Sequence, residues 1–193
     1  ENAGVRRVLV VAPTSNKKHW VDEVRKFTHH AVAMLEGSAK AREALYASNV
    51  PFLVTHYETV RTDQSLLCDK YPPDVLILDE AQRIKNWRTK TAAVIKSIPG
   101  RYVFALSGTP LENRLEELYS LMQRIDNRVL GPLWRFKLDF TVTDERGKEL
   151  TYRNLGELRR RMATVMLRRD RAVIADQLPA RTDQTLLVPM TNR

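Results

Sequence analysis

The 193-residue sequence predicts an α/β fold on a largely parallel sheet, with helices on both faces as a three-layer sandwich. Three observations carry that prediction. Residues 75–78 (Val-Leu-Ile-Leu) and 102–106 (Tyr-Val-Phe-Ala-Leu) are short apolar runs without alternation, the pattern of strands buried on both faces. Each run stops abruptly in polar residues, Asp79-Glu80 after the first and Ser107-Gly108-Thr109-Pro110 after the second. Stretches of helical periodicity separate such runs along the chain, as parallel strands joined by crossovers require. A right-handed crossover brings the polar ends of consecutive strands to one edge of the sheet, the edge at which open α/β sheets bind ligands.

In chain order, residues 7–12 (Arg-Val-Leu-Val-Val-Ala) read as a buried strand and Pro13-Thr14-Ser15 as the turn beyond it. Ser15 is a candidate N-cap for a helix whose apolar face is Trp20, Val21, Val24 and Phe27. Trp20 lies on that face and reads as core rather than as a base-stacking platform. Residues 31–35 suggest a strand, 38–47 a helix and 51–55 another strand, which runs into His56-Tyr57-Glu58-Thr59. Tyr71-Pro72-Pro73 breaks the chain before strand 75–78. Trp87, Thr91, Val94, Ile95 and Ile98 repeat at helical spacing, and Pro99-Gly100 ends that helix. Asn113 and Glu116 have the offset of a capping box, with Leu115, Leu118, Tyr119, Met122 and Ile125 as the stripe behind it. From Gly131 the pattern changes. Asp144-Glu145-Arg146-Gly147 reads as a turn between short polar strands, and Asn154 with Glu157 as the cap of a last helix. The other side of that helix carries Arg159, Arg160 and Arg161, a basic face suited to water or to DNA.

Composition narrows the partners. Lys and Arg number 32 against 23 Asp and Glu, a formal charge of +9, and such an excess attracts polyanions through counterion release as well as aiding solubility. The longest apolar runs are strand-sized, too short for a membrane-spanning helix. A single cysteine, Cys68, excludes an internal disulfide and a multi-cysteine zinc site, and His19, His29, His30 and His56 read as surface or loop residues. Asp79 and Glu80 are costly side by side unless a cation neutralises them. The pair fits Mg²⁺ carrying a nucleotide phosphate, or a helix N-cap.

Asp79-Glu80-Ala81-Gln82 followed by Ser107-Gly108-Thr109-Pro110-Leu111-Glu112-Asn113 resembles motifs II (a DEAQ box) and III of the superfamily-two helicase-like ATPases. Arg83-Ile84-Lys85-Asn86 and the Thr-Pro-Leu-Glu-Asn run resemble the SWI/SNF-type DNA-translocating branch. Pro13, Thr14 and Ser15, with Trp20 and Glu23 downstream, resemble motif Ia, and Thr55 and Tyr57 with Glu58 resemble motif Ib. Met166-Leu167-Arg168-Arg169 with Leu178-Pro179 is similar to the segment that closes the first lobe.

The resemblance implies a RecA-like first lobe over residues 1–129, a small helical protrusion over 130–165 and the lobe-closing segment over 166–193. It implies ATP and Mg²⁺ as cofactors and double-stranded DNA, with protein–DNA complexes as substrate, as partner. Asp79 would hold Mg²⁺ through a water, and Glu80 would orient or deprotonate the attacking water. Gln82, Ser107, Gly108 and Thr109 would link phosphate state to the DNA-facing surface. Pro13, Thr14, Ser15, Thr55, Tyr57, Arg168 and Arg169 would contact DNA. Capping of the next helix explains Thr55 and Tyr57 as well. The arginine-rich composition suggests a bacterial, cytoplasmic protein.

The sequence also departs from the family. A phosphate-cradling loop needs Gly-x-x-x-x-Gly-Lys-Ser/Thr, yet Gly147-Lys148 is followed by Glu149 and Val142 stands where the first glycine belongs. In the family that loop precedes motif Ia, and a second lobe supplies an arginine finger. The chain is therefore expected to be a piece of a first lobe, inactive alone. A strand-separating helicase and a non-catalytic nucleic-acid-binding domain are the competing readings.

Overall fold

The computed structural model describes residues 4–108, 114–146 and 149–169. Five parallel strands, β1 (Val8–Val11), β2 (Val32–Met34), β3 (Phe52–Thr55), β4 (Val75–Leu78) and β5 (Tyr102–Ala105), form one sheet in the order β2-β3-β1-β4-β5. The register is unstaggered across its centre, with Val11 level with Thr55 and Leu78, and Leu78 level with Ala105. The residues that follow these four therefore leave the sheet at one carboxyl rim.

Alternate strand residues point to opposite faces. Leu9, Val11, Leu53, Leu76 and Leu78 enter the main core, which is closed by helices α2 (Ala39–Ala47), α3 (Tyr57–Thr62), α4 (Gln64–Asp69) and α5 (Lys90–Ser97). Val8, Val10 and Val54 face the other way, against Val21 and Trp20 of α1 (Lys17–Phe27). The second face is the thinner layer, so Val75 and Ile77 are only half-buried. Burial on both faces, expected for 75–78 and 102–106, holds for one face of 75–78 and for neither face of 102–106, where Val103 and Ala105 are half-buried. On β5, the outer strand, Phe104 is 55% exposed, and Leu106 just beyond it is 45% exposed. Phe27, assigned to the apolar face of α1, is 71% exposed because the helix ends there and its ring lies under Lys26. Trp87 precedes α5 rather than joining it, and Arg88 sits over its ring.

Caps decide several boundaries. Ser38 accepts from the Ala41 N–H at 3.3 Å and Thr89 from the Ala92 N–H at 3.2 Å, each fixing a helix start. Ser15 does not cap α1; Thr14–Asn16 form a 3₁₀ turn first. Asn154 occupies the N-cap position of α9 (Leu155–Met162) in a left-handed conformation (φ 54°), but its side chain donates to the Asp139 carbonyl at 2.8 Å. Glu157 pairs with Arg161 at 2.8 Å instead of closing a capping box. Asn113, expected to form a capping box with Glu116, lies outside the described residues.

Helix α6 (Leu115–Ile125) is shared between two cores. Leu121 packs in the main one, while Leu115, Leu118, Tyr119 and Met122 join Leu130 of α7 (Asn127–Leu130), Phe136 and Phe140 of α8 (Leu133–Phe140), and Leu158 and Met162 of α9. Two short antiparallel strands, β6 (Thr141–Thr143) and β7 (Glu149–Tyr152), complete this second unit; of the turn expected between them, residues 145–146 are in a turn and Gly147 lies outside the described residues. No described helix is long and apolar enough to cross a membrane.

Buried polar groups pin the main core. Asp63, 3% exposed, accepts from Arg42 Nε and Nη2 at 2.6 and 2.8 Å and from the Tyr46 hydroxyl at 3.0 Å, tying α2 to the start of α4. Burial, with the Asp63 charge adding, pushes the Tyr46 phenol far above its ordinary pKa, so it remains a donor. Replacing Asp63 with Ala strands a half-buried guanidinium and a buried hydroxyl, and is expected to cost about 3–5 kcal/mol. Urea unfolding of Asp63→Ala checks this through its midpoint.

Candidate functional site

Strand β4 delivers the two carboxylates. The Asp79 N–H donates to the Val11 carbonyl at 2.8 Å, extending the ladder one residue beyond the strand. The chain then turns at Glu80, which adopts φ 50°, ψ 51°, and the Ala81 N–H donates to Leu106 of the neighbouring strand at 2.9 Å. Ala81 and Ile84, in one turn of 3₁₀ helix, are fully buried beneath this bend. Their burial forces the left-handed backbone on a residue with a Cβ, which costs about 1–2 kcal/mol.

Three donors hold the Asp79 carboxylate. Its Oδ2 accepts from the Trp20 indole Nε1 at 3.0 Å and from Asn16 Nδ2 at 3.2 Å, and its Oδ1 accepts from the Glu80 N–H at 3.0 Å. The Tyr57 hydroxyl donates to the Asp79 carbonyl at 2.7 Å. Burial, with the Asp79 charge adding, raises the Tyr57 phenol well above its usual range and keeps that proton in place. Glu80 begins a second chain of bonds, with Gln82 Nε2 donating to its Oε2 at 2.6 Å and the Ser107 hydroxyl donating to Gln82 Oε1 at 2.7 Å. Neither acid caps a helix through its side chain, so the N-cap reading of the pair does not hold.

Asp79, Glu80, Ser107 and Gly108 line a cavity of about 400 Å³ with Leu106, Met166 and Leu167. Among the described residues neither carboxylate forms an ion pair, and no three His, Cys, Asp or Glu side chains converge as an all-protein metal cage. Two hard-oxygen acids facing one cavity, their orientation fixed by neutral N–H donors, fit Mg²⁺ held by one or two carboxylates with water and phosphate completing its shell. A second cavity of about 420 Å³ is lined by Lys17, Glu36, Arg42 and His56, but Lys17 is paired with Glu36 at 2.6 Å and Arg42 with Asp63. Its charges are already neutralised.

The rim also carries the turn after β1, where Pro13 is half-buried and Thr14 and Ser15 are exposed. Thr55 and Tyr57, expected as DNA contacts, are buried in this structure. Tyr57 instead supports Asp79, and the Thr55 hydroxyl is the one buried side-chain polar atom without a partner among the described residues. Arg168 and Arg169 are exposed beside the cavity-lining Met166 and Leu167. Thr109 lies outside the described residues. Sequence reasoning missed Asn16, Met166 and Leu167 at the site; Trp20 packs against the core as expected, and its N–H also reaches Asp79. Nothing in the local pattern signals these contacts, because each depends on strand order.

The whole chain, residues 1–193, matches the family described as SNF2-related domain. It is 30% identical to rice DNA repair and recombination protein RAD54 over 97% of its own length and 21% of that protein's. It is 30% identical to the Bacillus subtilis protein described as putative ATP-dependent helicase/translocase YwqA, over 95% of the chain and 20% of that protein. The chain thus spans about a fifth of these relatives. The Sulfolobus solfataricus SWI2/SNF2 ATPase core in complex with dsDNA superposes with a TM-score of 0.73 at 28% identity, covering 91% of this chain and 36% of that one. The five-stranded parallel sheet is accordingly that of a RecA-like SWI2/SNF2 lobe.

The backbone at Glu80 is directly testable. Glu80→Gly and Glu80→Ala remove the same carboxylate, but only glycine relieves the positive φ, so Glu80→Gly is expected to be about 1 kcal/mol more stable than Glu80→Ala in urea. Equal stabilities would contradict the left-handed conformation.

Proposed function

The chain belongs to the SNF2-related domain family, and from that premise we propose that it is part of the ATP-hydrolysing motor of a translocase that moves on duplex DNA and acts on protein–DNA complexes. The observation that carries this reading is the pairing of two bond chains at one rim, Asp79 to Trp20 and Asn16, and Glu80 through Gln82 to Ser107. Hydrolysis of a γ-phosphate by water rests almost wholly on positioning and charge neutralisation. Mg²⁺ bound with the nucleotide would neutralise phosphate charge.

The protein's own groups do the rest. Asp79 is aimed by its donors and would hold the cation through a water. Gln82 fixes Glu80 by binding Oε2, which leaves Oε1 to accept the proton of the attacking water. Ser107 hydrogen-bonds the far end of Gln82, so movement of Ser107 would tilt Glu80 without repacking the core. On the DNA side, Thr14 and Ser15 offer hydroxyls, and Arg168 and Arg169 offer charge, to backbone phosphates. Residues 130–165 would form the protrusion and 166–169 the start of the path towards a second lobe.

The Gly-x-x-x-x-Gly-Lys-Ser/Thr pattern does not occur in these 193 residues, and on this reading they do not themselves cradle the phosphates. β5 is the outer strand of the sheet and offers a pairing edge beside the Asp79–Glu80 cavity. On this reading the 193 residues alone do not turn ATP over.

In the intact protein, Glu80→Gln keeps the bond to Gln82 possible but removes the base. Its DNA-stimulated kcat for ATP is expected to fall by about 10²–10⁴-fold with KM little changed. Steady-state hydrolysis measures this, and an unchanged kcat would remove Glu80 from the mechanism.

A further inference from the structure

We propose that Ser15, Asn16 and Trp20 are positioning residues that report a DNA phosphate on the 13–15 turn to the carboxylate of Asp79. This rests on the functional reading above and names how its two sites communicate. The bonds form one path. The exposed Ser15 hydroxyl donates to Asn16 Oδ1 at 3.1 Å, Asn16 Nδ2 donates to Asp79 Oδ2 at 3.2 Å, and Trp20 Nε1 donates to the same oxygen at 3.0 Å. Ser15 faces solvent, while Asn16 and Trp20 are half-buried, so the path leads from the surface to the acid. The level register of Val11 with Leu78 is what brings residues about sixty positions apart into contact.

The chemistry gives the path two states. A serine hydroxyl carries one proton. A phosphate oxygen that accepts it takes it from Asn16 Oδ1, which loses the bond that fixes the amide. The Asn16 amide is then anchored at its Asp79 end alone and is free to turn. Oδ2 of Asp79 then holds one firm donor, the indole, in place of two, and the carboxylate reorients. Outer donors of this kind set the direction and basicity of a metal-holding carboxylate. Linkage makes the effect reciprocal, because a cation and nucleotide that favour one orientation of Asp79 must change phosphate affinity at Ser15 by the same factor. Trp20 serves as more than filler. A phenylalanine would fill the apolar face of α1 equally well, but it has no N–H to reach Asp79.

The test is an equilibrium coupling measurement on the intact protein, independent of turnover. Affinity for a non-hydrolysable ATP analogue in Mg²⁺ is measured with and without a saturating short DNA duplex. In the unsubstituted protein the two affinities are expected to differ by about 5–150-fold. Asn16→Leu and Ser15→Ala are expected to bring that ratio to within about twofold of one, Ser15→Thr to retain it, and Trp20→Phe to reduce it at least about threefold. The Ser15 variants sit at an exposed position and carry the test even if Trp20→Phe fails to fold. Ratios in Asn16→Leu and Ser15→Ala within about twofold of the unsubstituted protein's overturn the relay and leave the functional reading standing. An unsubstituted protein that binds no nucleotide in Mg²⁺, with or without DNA, overturns the functional reading and the relay with it.

Discussion

The level register of β1, β4 and β5 is the constraint on which the rest of this structure depends. Val11, Leu78 and Ala105 lie in one row, so the turns that follow them emerge together. A one-residue slip of β4 would move its whole core-facing set, Leu76 and Leu78, to the thinner face. It would also carry Asp79 away from Trp20 and Asn16, and Gln82 away from Ser107. Hydrophobic burial on the main face therefore fixes the placement of polar groups at the rim. The groups that hold Asp79 and Glu80 come from four separate segments, and no local preference could assemble them.

Strain and charge are both concentrated there. Glu80 holds a left-handed backbone because Ala81 and Ile84 must reach the core, and the neighbouring Asp79 carboxylate receives the Glu80 N–H at that bend. The two acids face a cavity with neutral donors and no cation among the described residues. Several acidic groups elsewhere are matched by cations. Asp63 meets Arg42, Glu36 meets Lys17, and Glu157 meets Arg161. The unmatched pair, in a chain of net charge +9, faces a cavity where a phosphate-bound cation would complete it.

Strand positions were legible in the sequence because parallel strands leave unbroken apolar runs, and the observed strands fall within the expected ranges. The motif residues at the ends of β4 and β5 were legible too, since a carboxylate pair and a hydroxyl turn are distinctive in type. What the sequence hid depends on which strands are neighbours. Trp20 looks like core by helical spacing, and its contact with Asp79 follows only from β1 lying beside β4. Thr55 and Tyr57 look like surface hydroxyls after a strand, but β3 lies inside the sheet between β2 and β1, and both are buried. Asn154 shows a further limit, because its side chain is claimed by Asp139, fifteen residues away, and is lost as a cap.

On the proposed function, Asp79 and Glu80 would converge on a metal-bound nucleotide beside Ser107. A crystal structure of the intact protein with Mn²⁺ and a non-hydrolysable ATP analogue tests it most directly, because anomalous scattering locates the ion without reference to activity. The expected result is one Mn²⁺ peak in the cavity bounded by Asp79, Glu80 and Ser107, about 4 Å from an Asp79 oxygen through a shared water. A metal–nucleotide complex bound elsewhere, with the Trp20–Asp79 bond intact and this cavity filled by solvent, would contradict it.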